Sequence, residues 1–173
     1  MIRTILIAGL VAGAIAGGLC SLFALTLSDH MTGGYGMLLG YTTMLIALSI
    51  IFVAVKRYRD GALGGVIRFW PALGMGLAIA LVAGVLYALA WEGALLAMGG
   101  PDGFIDGYVA QLRAKGGASA AEIAQIEAMR ISYRNPLFRL PITFSEIAPV
   151  GVLVALLSAA LLRNPRFMPA RAV

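Results

Sequence analysis

The acid best placed to do chemistry is Glu146, which stands in the apolar stretch "FSEIAPVGVLVALLSAALLR" from Phe144 to Arg163. A carboxylate inside a membrane span is a functional candidate by default, able to carry a proton or hold a cation. Thr143-Phe144-Ser145-Glu146 also has the form of a capping box, which would set this carboxylate at the positive end of a helix, near the interface. The cap is the favoured reading. A second pattern is polar: Thr42, Ser49 and Lys56 recur every seven residues and share one helical face, with Tyr41 beside it. Such a stripe is expected to face other helices rather than lipid. There it would line a small hydrophilic path or, the simpler reading, make interhelical hydrogen bonds.

A third cluster closes "LSIIFVAVKRYRDG", where an apolar run ends in Lys56, Arg57, Arg59 and Asp60. Lys56 can snorkel to the interface, and Asp60 lies four residues on, within salt-bridge reach if the helix continues. Arg57 and Arg59 are then expected to bind lipid phosphates or acidic groups elsewhere in the chain. Finally, Asp29 and the single histidine, His30, would need Asp102, Asp106 or Glu92 to make a metal site, and no spacing supports one. An interfacial polar cluster is expected there.

The chain has no HExxH, no phosphate-binding loop and no GxSxG. No catalytic residue, cofactor or metal is expected. An intramembrane enzyme would have to assemble from scattered residues such as Asp29, His30 and Glu92. The lone Cys20 can form neither a disulfide framework nor a cysteine-based metal site and reads as a small packing residue.

The elements that must position these residues are membrane spans. Of 173 residues, 61% are hydrophobic and 12% charged, against roughly a quarter charged in ordinary soluble domains. A single all-α membrane domain, a four-helix bundle, follows, with spans at about 5–27, 37–55, 72–91 and 144–162. The first block is longer than a signal-peptide core and runs apolar to Leu27, so it reads as a span. Bulky Leu19 before Cys20 also speaks against a lipoprotein site. Trp70 and Trp91 bracket span three at a helical distance of about 30 Å and mark the two interfaces.

The net charge of +5 sits beside the spans rather than in a nucleic-acid-binding run. Arg3, then Lys56, Arg57, Arg59 and Arg68, then Arg163, Arg166 and Arg171 place both termini and the second connection in the cytoplasm. The long third connection, about 102–135, reads as two short amphipathic helices on the other side. Phe104, Ile105, Tyr108, Val109 and Leu112 form the first apolar stripe, and Gly116-Gly117 stops it. Ser119-Ala120-Ala121-Glu122 is a capping box for the second, which Asn135-Pro136 ends.

Each span carries a ridge of small residues for close helix approach. They are Gly9, Gly13 and Gly17; Gly36 and Gly40; Gly76, Ala80, Gly84 and Ala88; and Gly151, Ala155 and Ala159. Packing within one chain is the expected use, and a homodimer through span one the sharper alternative.

"GYTTMLIALSIIFVAVKRYRDGALGGVIRF", from Gly40 to Phe69, resembles the bacterial membrane proteins grouped as domain of unknown function 4199. The stretch from Phe144 to Arg163 and the Pro101-Asp102 segment are similar to them too, and Lys56 to Asp60 with Gly64-Gly65 is the most specific part. The resemblance implies a small four-span protein of the bacterial inner membrane and supplies no mechanism. The expected role is non-enzymatic binding of membrane lipids or a membrane-protein partner, with no nucleic acid. A small permease or channel subunit using Thr42, Ser49 and Glu146 is the alternative.

Overall fold

The computed structural model describes residues 1–26, 34–116 and 119–170, and among these it is helical with no strand. In chain order the helices are α1 (Ile2–Thr26), α2 (Gly34–Leu48), α3 (Ile50–Ala62), α4 (Phe69–Ala97), α5 (Gly100–Lys115), α6 (Ala120–Arg134) and α7 (Pro136–Leu162). Four stretches are long and apolar enough to cross a bilayer: α1, α2 with α3, α4 and α7. The protein is therefore a multi-pass membrane protein. Asp29, His30, Gly117 and Arg171 lie outside the described residues.

α2 and α3 are one span with a pinch at Ser49. The Ser49 amide reaches both Leu45 and Ile46 carbonyls, its hydroxyl donates to the Ile46 carbonyl at 2.6 Å, and the amides of Phe52 and Val53 return to its own carbonyl. A hydroxyl that binds its own preceding turn in this way loosens the local ladder without ending the helix.

α4 is the centre of the bundle, with α1 on one side and α7 on the other. The α1 ridge meets α4 so closely that a Cβ on Gly13 would stand 2.7 Å from the Ala83 carbonyl oxygen, a backbone atom that cannot step aside. Gly9 faces Val82 and Gly17 faces Ala90 in the same way. Against α7 the fit is reciprocal: Gly76 receives Ala155, Gly151 receives Ala80, and Gly84 receives the Phe144 ring. Without water to drive helices together in lipid, close approach of this kind supplies dispersion contact along the whole seam. The ridge of span one is thus filled by α4 of its own chain. Gly40 meets no neighbour. Outward faces are apolar, with Leu81, Val85, Leu153 and Leu157 about half exposed.

Three expected boundaries move. α3 runs to Ala62, so Lys56 to Asp60 lie inside its last turns rather than beyond them. α4 extends past both tryptophans; Trp70 is exposed at its start, whereas Trp91 packs edge-on against Phe104 and donates to the Tyr133 hydroxyl. α7 begins at Pro136, behind an Asn135 cap whose side-chain oxygen accepts the Leu137 amide at 3.0 Å. Pro141 and Pro149 lie inside it, as membrane helices tolerate. Asn135-Pro136 therefore ends α6 and starts α7 with almost no connection.

The expected insert forms. Ser119 and Glu122 make their reciprocal box, the amide of each accepted by the other's side chain at 2.7 and 3.2 Å. α5 and α6 pack Ile105, Val109 and Tyr133 onto Leu95 at the end of α4. On their outer faces Arg130 reaches Asp102, Asp106 and Glu127, while Arg134 reaches Asp102 at 3.0 Å.

Candidate functional site

The basic cluster is two different things on one helix. Arg59 is completely buried. Its Nε donates to Asp60 at 2.6 Å, Nη1 to the Phe167 carbonyl at 3.0 Å and, at 3.5 Å, to that of Leu162, and Nη2 to the Met168 carbonyl. The guanidinium thus closes the C-terminal end of α7, where carbonyls lack partners and the helix dipole favours a cation. It also holds the segment that follows, which Phe167 anchors edge-on to Phe52. Of the two partners expected for Arg59, a lipid phosphate or an acidic group, it meets the acid, and its terminal nitrogens meet backbone carbonyls.

Asp60 accepts from both Arg59 and Lys56, so the expected Lys56–Asp60 pair forms and also supplies the counter-charge for the buried arginine. Gly64 and Gly65 stop the helix. Both have positive φ, 65° and 91°, and the amides of Leu63 and Gly65 turn back onto the Arg59 carbonyl at 3.3 and 2.9 Å. A Cβ on Gly65 would sit 3.4 Å from Ala170, so the turn also floors the C-terminal segment. The block from Lys56 to Gly65 is a latch between α3 and the segment that follows α7.

Arg57 is exposed. With Arg3 it lines one cleft of about 540 Å³ between α1 and α3. Because the two helices run antiparallel there, Arg3 and Arg57 share a level, followed by Ile7 with Val53 and then Val11 with Ile50. A guanidinium pair thus caps an apolar furrow about 12 Å long. No carboxylate pairs with Arg3 or Arg57 among the described residues.

The polar stripe does not face the bundle. Thr42 and Ser49 are exposed, and their hydroxyls donate to the Leu38 and Ile46 carbonyls of their own helix. Thr43 is the buried one, and it too binds its own helix, at Leu39. Satisfying a hydroxyl locally removes its need for another helix, so the seven-residue spacing places three polar groups on a face without giving that face a path.

Glu146 is not a cap. Thr143 and Ser145 donate to the Arg139 and Ile142 carbonyls in the middle of α7, and Glu146 accepts the Tyr87 hydroxyl of α4 at 3.2 Å. Cys20 lies 3.5 Å beyond Tyr87, completing a chain that joins α1, α4 and α7. With Tyr87 donating to Glu146, the thiol is the donor to Tyr87. The pair sits one helical turn, about 6 Å, inside the level of Trp91.

A second buried arginine was hidden from sequence reasoning. Arg139 on α7 forks onto Glu92 of α4, with Nε to Oε1 at 2.7 Å and Nη2 to Oε2, while Nη1 donates to the Tyr133 carbonyl at 2.6 Å. Its guanidinium also lies 5.6 Å from the centre of the Tyr133 ring. Burial pushes the Tyr133 phenol above its ordinary value, so it stays protonated beside Trp91. On the insert surface, the Arg134 guanidinium first and Arg130 second hold the Asp102 carboxyl below its usual range. The Ser119 backbone amide does the same for Glu122. Among the described residues no cluster of His, Cys, Asp and Glu could hold a metal ion.

A family model described as "Protein of unknown function (DUF4199)" matches residues 11–164, which include Lys56 to Gly65, the Tyr87–Glu146 bond and the Arg139–Glu92 fork but not Phe167 and Met168. Neither a curated protein nor a solved structure matches the chain.

Proposed function

The chain belongs to the DUF4199 family, and from that premise we propose that it is a non-enzymatic membrane component that binds an anionic phospholipid in the cleft between α1 and α3. The single observation behind this reading is the sharing of one cleft by Arg3 and Arg57 with an apolar furrow running down from them. Two guanidiniums at the interface match a phosphate diester, and Thr4 beside them adds a hydroxyl donor. Ile7, Val11 and Val53 then run alongside the first part of an acyl chain. On this reading the basic end faces the cytoplasm, where the leaflet is anionic.

Attraction of this kind is about 1 kcal/mol for each well-placed basic side chain, so the two together amount to roughly a 30-fold preference over a neutral surface. Native mass spectrometry of protein released from mixed phosphatidylglycerol and phosphatidylcholine bilayers tests it. The Arg3→Gln, Arg57→Gln double variant should lose its selective retention of phosphatidylglycerol. Unchanged retention in a folded double variant would refute the proposal. A permease built on Thr42, Ser49 and Glu146 draws less support, because the first two hydroxyls are engaged by their own helix on an outward face.

A further inference from the structure

The cleft between α1 and α3 carries more positive charge than a phosphate diester can use. At the same end of α3, Lys56 and Arg59 share the Asp60 carboxylate. Arg3 and Arg57 have no such acid among the described residues, and the cleft they line holds no carboxylate there either. Two uncompensated guanidinium charges therefore face one space, and neither can give up its proton.

Thr4 is the third donor. Farther along the spans, the hydroxyls of Thr26, Thr42 and Thr43 each donate to the carbonyl four residues earlier, at 2.7, 2.7 and 2.9 Å. Thr4, in the first turn of α1, makes no such bond among the described residues, and it lines the cleft beside Arg3.

A phosphodiester brings a single negative charge and two free oxygens. The fork of one guanidinium can engage both oxygens, which leaves the second guanidinium and the hydroxyl over. A phosphomonoester brings three terminal oxygens and, above its second ionisation at about pH 6, nearly two charges. We propose that the cleft selects a phosphomonoester lipid of the phosphatidic acid class over a phosphodiester, with Arg3, Arg57 and Thr4 serving its three terminal oxygens. This rests on the cleft being an anionic-lipid site and names the head that it prefers. The group is assigned to a lipid because Ile7, Val11 and Val53, each about half exposed, continue the cleft as an apolar furrow that a soluble phosphate would not use.

Native mass spectrometry of the full chain, released from bilayers of phosphatidic acid, phosphatidylglycerol and phosphatidylcholine in equal amounts, tests it at about pH 8, where the monoester carries its second charge. Phosphatidic acid should be retained about tenfold over phosphatidylglycerol, the value of one further hydrogen bond to a charged group. Phosphatidylmethanol, in which a methyl caps one oxygen and removes one charge, should fall to the phosphatidylglycerol level. Thr4→Val should shrink the preference for phosphatidic acid without changing phosphatidylglycerol retention, and Thr4→Ser should keep both. Equal retention of phosphatidic acid and phosphatidylmethanol would overturn the proposal, and an unchanged preference in folded Thr4→Val would overturn the part given to Thr4. If phosphatidic acid and phosphatidylglycerol are held alike, and both are lost from the Arg3→Gln, Arg57→Gln variant, the monoester preference fails while the anionic-lipid reading stands. If neither is held above phosphatidylcholine, that reading fails with it. Displacement of phosphatidic acid by excess inorganic phosphate would overturn the assignment to a lipid.

Discussion

Arg59 and Arg139 are both buried, 0% and 4% exposed, at opposite ends of the same bundle, and they are held in different ways. Arg59 takes its counter-charge from the next residue and directs its remaining donors to backbone carbonyls at the end of α7 and just beyond. Arg139 takes a two-pronged carboxylate from another span, 47 positions away, and reserves one donor for the carbonyl that closes the insert. The first fixes the end of α7 and the segment that follows it. The second fixes how two spans and the insert stand together. An arginine satisfied by backbone survives the loss of its acid better than one satisfied by a single carboxylate, and that ordering is testable.

The largest effect is expected at Glu92. Glu92→Ala leaves Arg139 buried without its acid, and breaking a buried pair from one side costs about 3–5 kcal/mol. Thermal unfolding in detergent should show the largest drop here, and a Glu92→Leu, Arg139→Leu double variant should regain much of it. If the double variant is no better than the single one, the guanidinium serves chiefly as a donor to Tyr133.

Next comes Arg59→Gln, which deprives the end of α7 and the following turn of a charged donor to three carbonyls. About 2–3 kcal/mol should be lost. The new protease-sensitive site should fall after Leu162, with the insert unchanged.

Asp60→Asn is milder, because the amide oxygen still accepts from Arg59; about 1.5 kcal/mol is expected, at the low end for hydrogen bonds to charged groups. Membrane insertion should be unaffected, and an inverted topology by cysteine accessibility would show that Asp60 does more than support the latch.

Acid should loosen the insert. Asp102 and Glu122 are held below their ordinary values in the folded insert. Their contribution is therefore complete above the unfolded values near pH 4 and is lost as pH falls through the lowered ones. Trp91 emission should shift only below about pH 4. A shift near neutral pH would point to another group. The smallest effect is that of Thr42→Val and Ser49→Ala, within about 0.5 kcal/mol, since neither hydroxyl serves another helix.

The contrast between the two arginines also explains what was legible in the sequence. Spans, the insert and the Ser119–Glu122 box could be read because each is written in neighbouring residues: apolar length, helical period, a reciprocal cap. The glycine ridges were visible as four-residue spacing, although their partner helix was not, because small residues specify closeness and not identity. "KRYRDGALGG" was conspicuous because acid, arginine and turn glycines are contiguous, yet its burial depended on carbonyls about a hundred positions on. Glu92 and Arg139 stand 47 positions apart, and only folding pairs them. Glu146 was misread as a cap because its Thr-x-x-Glu spacing suggested a helix start, whereas α7 starts well before it, at Pro136.

The account divides one basic cluster into a latch through Arg59 and a lipid contact through Arg57. The most direct test is native mass spectrometry of phosphatidylglycerol retained by folded Arg57→Gln beside folded Arg59→Gln. Arg57→Gln should lose selective retention while keeping the C-terminal segment protected. Arg59→Gln should keep its lipid and release that segment. The reverse pattern, lipid lost with Arg59 and kept without Arg57, would contradict the account.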